Sequence, residues 1–359
     1  MNVQQPARLA ATLVVPVPDP AALRARLVEH VGRYARVETT PAGDVLLSSE
    51  LGLSRLTVET GGLRIAAESR DDAGLAYIKM IMADHVLDFI GPGLTLHWTG
   101  AGAAGSPLPF FRAMTVTTVR AVGRFRRLTL AGDDLGRFAE GGLHVRLLLP
   151  PEGVRQRWPV TGDDGRPLWP DDNPPPARVY TLRGIDVAAG RVEIDMLLHG
   201  EHADAPGAAF AARARPGDVV GMTGPGGGDL PAAADYLLFA DETALPAVAR
   251  MLAEMPAGRR VRAFVEIEDE ADRQTLPTAA AAEVVWLYRR DGEGLEAAAA
   301  AIGADDLAHD TIVWGGMEHV ARRALHRRAI DVWGLPRSRM RLASYWRRGK
   351  TGEDHHHDD

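Results

Sequence analysis

The chain has 359 residues, a formal net charge of −7 and no cysteine. Its acidic balance argues against nucleic acid as a partner, because phosphate binding needs a basic surface. The lack of cysteine excludes disulfides, thiolate-bound zinc, a thiol nucleophile and Cys-ligated iron–sulfur clusters, so any redox chemistry must use a bound organic cofactor. The length predicts two or three domains.

Residues 1–98 are predicted to form a small α+β domain, to which the sequence assigns no role. A first strand over 8–17 precedes a helix that Asp19 can cap, and the pattern continues as β-β-β-α-β. Prolines interrupt the apolar run of the first strand, which favours a strand over a signal peptide. No segment has the ~20 consecutive apolar residues of a membrane-spanning helix, so we expect a cytoplasmic protein without membrane insertion. Residues 99–109 are rich in Gly, Ala and Pro and are predicted to be a linker.

Residues 110–228 carry the pattern of a β-barrel. Six short strands are separated by turn residues, with one long polar loop over 151–176 and one helical insert before the last strand. This arrangement predicts a six-stranded antiparallel Greek-key barrel. The predicted strands are RAMTVTTVRAVG, FRRLTLAGDD, LHVRLLLP, ARVYTLRGIDV, RVEIDMLLHG and GDVVGMTG.

Residues 229–350 show a different period, in which short buried strands alternate with helices. That alternation predicts a parallel sheet with helices on both faces, whose ligands bind at the carboxyl ends of the strands. The last segment, 351–359, is rich in His and Asp and is predicted to be disordered, although its three consecutive histidines could also bind a metal weakly.

A barrel followed by a nucleotide-binding α/β domain resembles the layout of the ferredoxin reductase-like flavoenzymes, in which an Arg-x-Tyr-Thr/Ser strand binds flavin. Arg178 could pair with the pyrophosphate through bidentate hydrogen bonds. Tyr180 lies two residues further, on the same face of the strand, and could contact the ribityl chain or the ring. Thr181 could offer its hydroxyl to the ring. Taken alone, the motif also fits an ordinary strand.

Other segments supply candidate cofactor contacts in the expected order. His199 ends the next strand, where a lone histidine can also be purely structural, and the turn at Gly207 and Ala208 opens a helix whose free N–H groups could take a phosphate. Glycines after the sixth strand allow a close approach of backbone to ligand. The acidic turn over 241–246 follows the first parallel strand, where a dinucleotide would bind.

Together these motifs resemble the siderophore-interacting protein family of FAD-dependent ferric-siderophore reductases, across residues 112–349. The first hundred residues resemble a small uncharacterised domain that is sometimes fused to such reductases. The motifs are Arg178–Thr181, His199-Gly200, Pro216–Asp218, Gly224–Gly227, Asp241–Pro246, Trp314–Gly316 and Tyr345–Gly349.

Two departures from the family pattern concern the pocket. Ala205–Ala208, followed by Phe210 and Ala211, stands where the family usually has Gly-Pro-Ala-Ser and a Trp-Ala pair, so a serine hydroxyl near the pyrophosphate is missing. FAD would then depend on backbone N–H groups and Arg178. Ser344 replaces the usual glycine before the Tyr-Trp-Arg run.

The resemblance implies that FAD takes electrons from NADH or NADPH, or from a ferredoxin-like donor, and reduces Fe(III) held in a siderophore. Iron(II) binds hard oxygen donors far less tightly, so reduction releases it, and the protein itself need not bind the metal. The implied cofactor-binding residues are Arg178, Val179, Tyr180, Thr181, His199, Gly200, Gly207, Ala208, Gly224, Gly226, Asp241, Thr243, Ala244, Tyr345 and Trp346.

Arg289 and Arg290 end a predicted strand at the carboxyl edge, and we predict that they bind an anionic ferric siderophore, the alternative being a solvated strand end. Two other functions stay open on the sequence. One is a general NAD(P)H:flavin oxidoreductase, and the other is a non-catalytic siderophore-binding or iron-handling protein.

Overall fold

The structure, a computed structural model, describes residues 8–91, 93–154, 156–170, 174–198, 205–228 and 230–349. The chain divides into two compact units, the first being Met1–Phe111 with Arg155–Pro174 and the second Arg112–Val154 with Pro175–Asp359. Most of the polar loop expected inside the barrel domain, over 151–176, therefore belongs to the first unit.

The described strands and helices are numbered in chain order. The strands are β1 Leu9–Pro16, β2 Arg36–Thr39, β3 Val45–Ser49, β4 Gly52–Glu59, β5 Gly62–Ser69, β6 Trp98–Gly100, β7 Phe111–Val122, β8 Phe125–Ala131, β9 His144–Leu148, β10 Val160–Thr161, β11 Pro167–Leu168, β12 Ala177–Asp186, β13 Arg191–Leu197, β14 Val219–Gly226, β15 Asp235–Ala240, β16 Arg260–Ile267, β17 Ala281–Tyr288, β18 Ile312–Glu318 and β19 Met340–Trp346. The α-helices are α1 Pro20–Val31, α2 Asp72–Ile90, α3 Pro206–Arg213, α4 Leu245–Glu254, α5 Leu295–Ala300 and α6 His319–Asp331. Short 3₁₀ helices span Gly32–Tyr34, Gly136–Ala139, Glu270–Asp272, Arg289–Asp291, Ala304–Asp306 and Arg337–Arg339.

The first unit contains a six-stranded antiparallel sheet in the order β2-β3-β4-β5-β1-β6, with α1 and α2 packed on its core. The predicted α+β class is confirmed. The strand β2 was not predicted, because all four of its residues are exposed at the sheet edge and show no alternation of apolar and polar side chains. The strands β10 and β11 form a separate two-stranded ribbon in this unit.

In the second unit, six strands close into an antiparallel barrel in the order β12-β13-β8-β7-β14-β9. These are the six strands that the alternating pattern predicted, and the barrel prediction is confirmed. Their inward side chains form one core around Met114, Leu128, Leu147, Ile194 and Met222.

A five-stranded parallel sheet follows the barrel, in the order β17-β16-β15-β18-β19. The central strands β15 and β18 are almost wholly buried, as expected for a parallel sheet covered on both faces. Because all five strands run in one direction, their carboxyl ends share one edge. This edge carries Asp241 after β15, Glu318 at the end of β18 and Trp346 at the end of β19. No helix among the described residues is long and apolar enough to cross a membrane.

Candidate functional site

The strand β12 presents Arg178 and Tyr180 on one face of the barrel wall. The hydroxyl of Tyr180 lies directly against Gly207, so a Cβ at that position would overlap it. Burial raises the pKa of Tyr180, which keeps the phenol neutral. Arg178 donates to the carbonyl of Ala177 at 2.7 Å, and among the described residues its guanidinium has no carboxylate partner. The charge of Arg178 is therefore available to an anionic ligand.

The N-terminus of α3 lies beside the phenol of Tyr180. The first bond of this helix runs from the amide of Ala209 to the carbonyl of Ala205, at 2.9 Å. The N–H groups of Gly207 and Ala208 therefore have no acceptor inside the helix, and the side chain of Ala205 cannot cap them. Free amides at a helix N-terminus, together with the guanidinium of Arg178, suit a pyrophosphate. These groups fit the FAD that the sequence analysis expects.

His144 joins the barrel to the parallel sheet. It begins β9, where it pairs in register with Thr181 of β12 and Gly226 of β14. Its Nε2 atom is hydrogen-bonded to the hydroxyl of Tyr345 at 2.7 Å, and the two rings meet edge to face. His144 was not among the predicted site residues, because nothing in its strand relates it to a tyrosine 201 residues away.

A buried carboxylate organises the carboxyl edge of the parallel sheet. Asp241 is 3% exposed, and its Oδ1 accepts hydrogen bonds from the amide and hydroxyl of Thr243. Its Oδ2 accepts from the amide of Glu318 at 2.9 Å and from the indole Nε1 of Trp346 at 2.8 Å. Burial raises the pKa of Asp241 to about 6, against the opposing effect of the Thr243 hydrogen bonds. The structure thus brings together three predicted cofactor-binding residues, Asp241, Thr243 and Trp346. Their polar side-chain atoms are hydrogen-bonded to one another.

Tight packing fixes Tyr345 at the same edge. A Cβ at Gly316 would meet the ring of Tyr345 at 2.8 Å and the Cβ of Ala244 at 2.7 Å, so glycine is required there. Burial, followed by the charge of Asp241, raises the pKa of Tyr345. The second glycine of the Trp-Gly-Gly motif, Gly316, thus has a packing reason in this chain.

Hydrogen bonds from a buried ion-pair cluster of the barrel and from α4 join the barrel to the parallel-sheet domain. Asp195 of β13 binds Arg127 in a bidentate pair of 2.5 and 2.6 Å and Arg183 at 3.1 Å, with its side chain fully buried. Gln274, from the parallel-sheet domain, accepts from both arginines. Arg250 of α4 donates to a carbonyl of the barrel strand β12. Direct hydrogen bonds therefore join the barrel to the parallel-sheet domain.

Arg289 and Arg290 lie at the end of β17, as predicted, but carboxylates surround them. Arg289 contacts Glu242, Glu266 at 2.9 Å and Glu268 at 3.1 Å. Arg290 contacts Glu268 and Asp269. Their role in binding a siderophore stays a prediction. An anionic ligand at Arg289 or Arg290 would have to displace the carboxylates that pair with these arginines.

The other predicted residues have simpler positions. Thr181 is buried at 5% exposure, whereas the Val179 side chain is 41% exposed and alternates with those of its neighbours Arg178 and Tyr180. Gly224 has a φ of +137°, a conformation that L side chains rarely adopt. His199 and Gly200 lie outside the described residues, as does the segment 351–359.

A closed antiparallel barrel followed by a five-stranded parallel sheet defines the ferredoxin reductase-like fold. Two family models match the chain: "Siderophore-interacting FAD-binding domain" over residues 115–229 and "Siderophore-interacting protein" over residues 233–349. The chain belongs to the siderophore-interacting protein family.

Known relatives agree with this assignment. The ferric vibriobactin reductase of Vibrio cholerae is 31% identical over 245 residues, which cover 65% of this chain and 87% of the relative. A siderophore utilization protein from T. fusca is 34% identical with a TM-score of 0.58, covering 68% of this chain and 96% of that structure. The siderophore-interacting protein SipS of Aeromonas hydrophila is 26% identical with a TM-score of 0.55, covering 67% and 100%.

We predict that the indole N–H of Trp346 reports the ionisation of Asp241. Its NMR resonance should shift with a midpoint near pH 6, because the carboxylate that accepts this hydrogen bond is protonated as the pH falls. Since the unfolded chain holds this proton only below its ordinary pKa of 3.8, the contribution of Asp241 to the free energy of unfolding should fall as pH rises between these two values.

Trp333 is an internal control, because its indole donates to the carbonyl of Ile302 and not to an acid. In Asp241→Asn the titration of the Trp346 resonance should vanish. The free energy of unfolding should fall by about 1–3 kcal/mol, because the new amide N–H₂ would face N–H and O–H groups that are themselves donors. A Trp346 resonance that does not move between pH 5 and 8 would contradict the assignment.

We predict that Gly207→Ala displaces Tyr180 and weakens both the fold and FAD binding. The new methyl would overlap the phenol oxygen, and such overpacking costs about 1–3 kcal/mol. Thermal unfolding and FAD titration measure the two effects. The double variant Gly207→Ala/Tyr180→Phe should recover much of the lost stability, because the hydroxyl is the main obstacle. Equal losses in the single and double variants would show that the close contact is not the cause.

Proposed function

We propose that the chain is an FAD-dependent reductase of ferric siderophores that releases the iron as Fe(II). The family assignment and the ferric-siderophore reductase among its relatives support an oxidoreductase of this kind. The observation that carries the proposal is that Arg178, which has no carboxylate partner among the described residues, shares a strand face with Tyr180, whose hydroxyl lies against Gly207 at the start of α3. This arrangement suits the pyrophosphate of FAD.

The chain's own residues would position the cofactor. Arg178 and the N–H groups of Gly207 and Ala208 would hold the pyrophosphate, and the aromatic ring of Tyr180 would border the adjoining part of the ligand. His144, which pairs in register with Thr181 of β12, and Tyr345 join the barrel to the sheet edge through a hydrogen bond. When bound, FAD accepts a hydride from a two-electron donor and passes electrons singly to a metal acceptor.

The ferric siderophore is the substrate in this proposal. Reduction lowers the affinity of hard oxygen ligands for the iron, so the reaction itself releases the metal without a protein ligand. The electron donor is NADH or NADPH, with a ferredoxin-like protein as the alternative. The cytoplasmic location stays a prediction.

We expect Arg178→Ala to weaken FAD binding by about tenfold to a hundredfold, because a charge-assisted hydrogen bond contributes about 1.5–3 kcal/mol. Titration of the apoprotein with FAD measures this loss. Arg191→Ala is a matched control, since Arg191 is an exposed barrel arginine that pairs with Asp186. Unchanged affinity in Arg178→Ala would contradict the placement of the pyrophosphate.

The function is tested by anaerobic reduction of several ferric siderophores in the presence of an iron(II) chelator. We expect a yellow protein whose flavin spectrum is bleached by the donor and restored as Fe(II) appears. Bleaching without Fe(II) formation would instead indicate a general flavin oxidoreductase. A colourless protein that still binds a ferric siderophore would indicate a non-catalytic iron-handling role.

A further inference from the structure

The strand β2 forms one edge of the six-stranded sheet in the first unit. It pairs antiparallel with β3 on one side, and no strand lies along its other side in the part of the chain that the structure describes. All four of its residues are exposed. Such an edge presents backbone donors and acceptors that can pair with a further strand.

The pairing with β3 decides which backbone groups of β2 point outward. The amide of Thr40 donates to the carbonyl of Asp44 at 2.9 Å, one step beyond the register pair of Thr39 and Val45. Antiparallel strands alternate between hydrogen-bonded and non-hydrogen-bonded pairs. The N–H and C=O groups of Val37 and Thr39 therefore point away from β3, and they have no partner among the described residues.

The charged side chains of β2 have opposite signs. Arg36 and Glu38 lie in register with Ser48 and Leu46 of β3, on the face of the sheet away from the core, and pair with each other at 2.5 Å. Their side chains are 79% and 47% exposed, so this ion pair contributes little to the stability of one chain. The two charges flank Val37 on either side, which makes the strand complementary to an antiparallel copy of itself.

Apolar side chains are exposed next to the outward backbone groups. Val37 is 43% exposed and lies in register with Leu47, on the core side of the sheet. A Cβ at Gly32 would lie 2.9 Å from Val37, so this side chain packs against the 3₁₀ helix that carries Tyr34. Tyr34 is 86% exposed, the highest value among the large apolar side chains of the described residues.

We propose that two copies of this chain associate through their β2 edges, antiparallel and with Val37 on a two-fold axis. The outward groups of Val37 then exchange both hydrogen bonds with Val37 of the second copy. In the same register, each Arg36 lies opposite Glu38 of the other chain, and opposite charges across strands are favourable. An axis at Arg36 or at Glu38 would instead oppose like charges and would need backbone groups that face β3.

The symmetry of this contact makes it a closed dimer, because each chain offers a single β2 edge. A short edge strand buries less surface than a standard interface, so the association is weak. Sedimentation of the full chain at increasing concentration should show a reversible monomer–dimer equilibrium with a Kd of about 10–300 μM. A chain that stays monomeric at about 1 mM, or that grows beyond two copies, would overturn the proposal.

Charge reversal at the two positions tests the register. In Glu38→Arg two arginines face each other across the strands, and in Arg36→Glu two glutamates do. Each variant alone should raise the Kd of the dimer at least about tenfold, because two-fold symmetry makes every substitution act twice. A one-to-one mixture of the two variants should restore association as a heterodimer, because each contact then joins opposite charges. Effects within one chain cannot produce such a rescue.

Glu68→Arg is the matched control for these variants. Glu68 lies in β5, which β3 and β4 separate from β2, and it pairs with the exposed Arg8 at 3.3 Å. Its reversal should leave the Kd within about twofold, because it creates a similar repulsion away from the edge. Single variants that dimerise like the unchanged chain, or a mixture that stays monomeric, would overturn the proposal. These measurements need neither FAD nor a siderophore, so their outcome is independent of the proposed function.

Discussion

One buried carboxylate holds the carboxyl edge of the parallel sheet in place. Asp241 accepts four hydrogen bonds, from Thr243 twice, from the amide of Glu318 and from the indole of Trp346, so it joins the ends of β15, β18 and β19. An ionised group in such a position is stable only when its oxygens are fully paired. The edge that faces the barrel is therefore fixed by a single polar centre, and Tyr345 next to it takes one position.

The barrel is fixed to this edge by groups of the same kind. His144 is hydrogen-bonded to Tyr345. Asp195 forms ion pairs with Arg127 and Arg183, and both arginines donate hydrogen bonds to Gln274 of the parallel-sheet domain. Removing one partner from such a buried pair costs far more than a surface ion pair is worth. These contacts hold the β12 face that carries Arg178 and Tyr180 in a fixed position relative to the parallel sheet. A fixed position suits the proposed FAD, which would carry electrons from a donor to an acceptor.

Local patterns predicted most of the fold, and long-range contacts explain what they missed. Alternating apolar residues identified all six barrel strands, because one face of each is buried. The strand β2 escaped because every residue in it is exposed. Motif order led to Arg178, Tyr180, Gly207 and Asp241. The order of the motifs did not indicate His144, because its partner Tyr345 is distant in the sequence. It also did not indicate the carboxylates around Arg289, because strand ends that are far apart in the chain meet only in the folded sheet.

In the proposed complex, FAD lies along β12 with its pyrophosphate at the start of α3. A crystal structure of the FAD complex tests this most directly. We expect the pyrophosphate oxygens within hydrogen-bonding distance of the amides of Gly207 and Ala208 and of the guanidinium of Arg178. Density for FAD elsewhere, or a crevice that His144 and Tyr345 keep closed to the ring system, would contradict it.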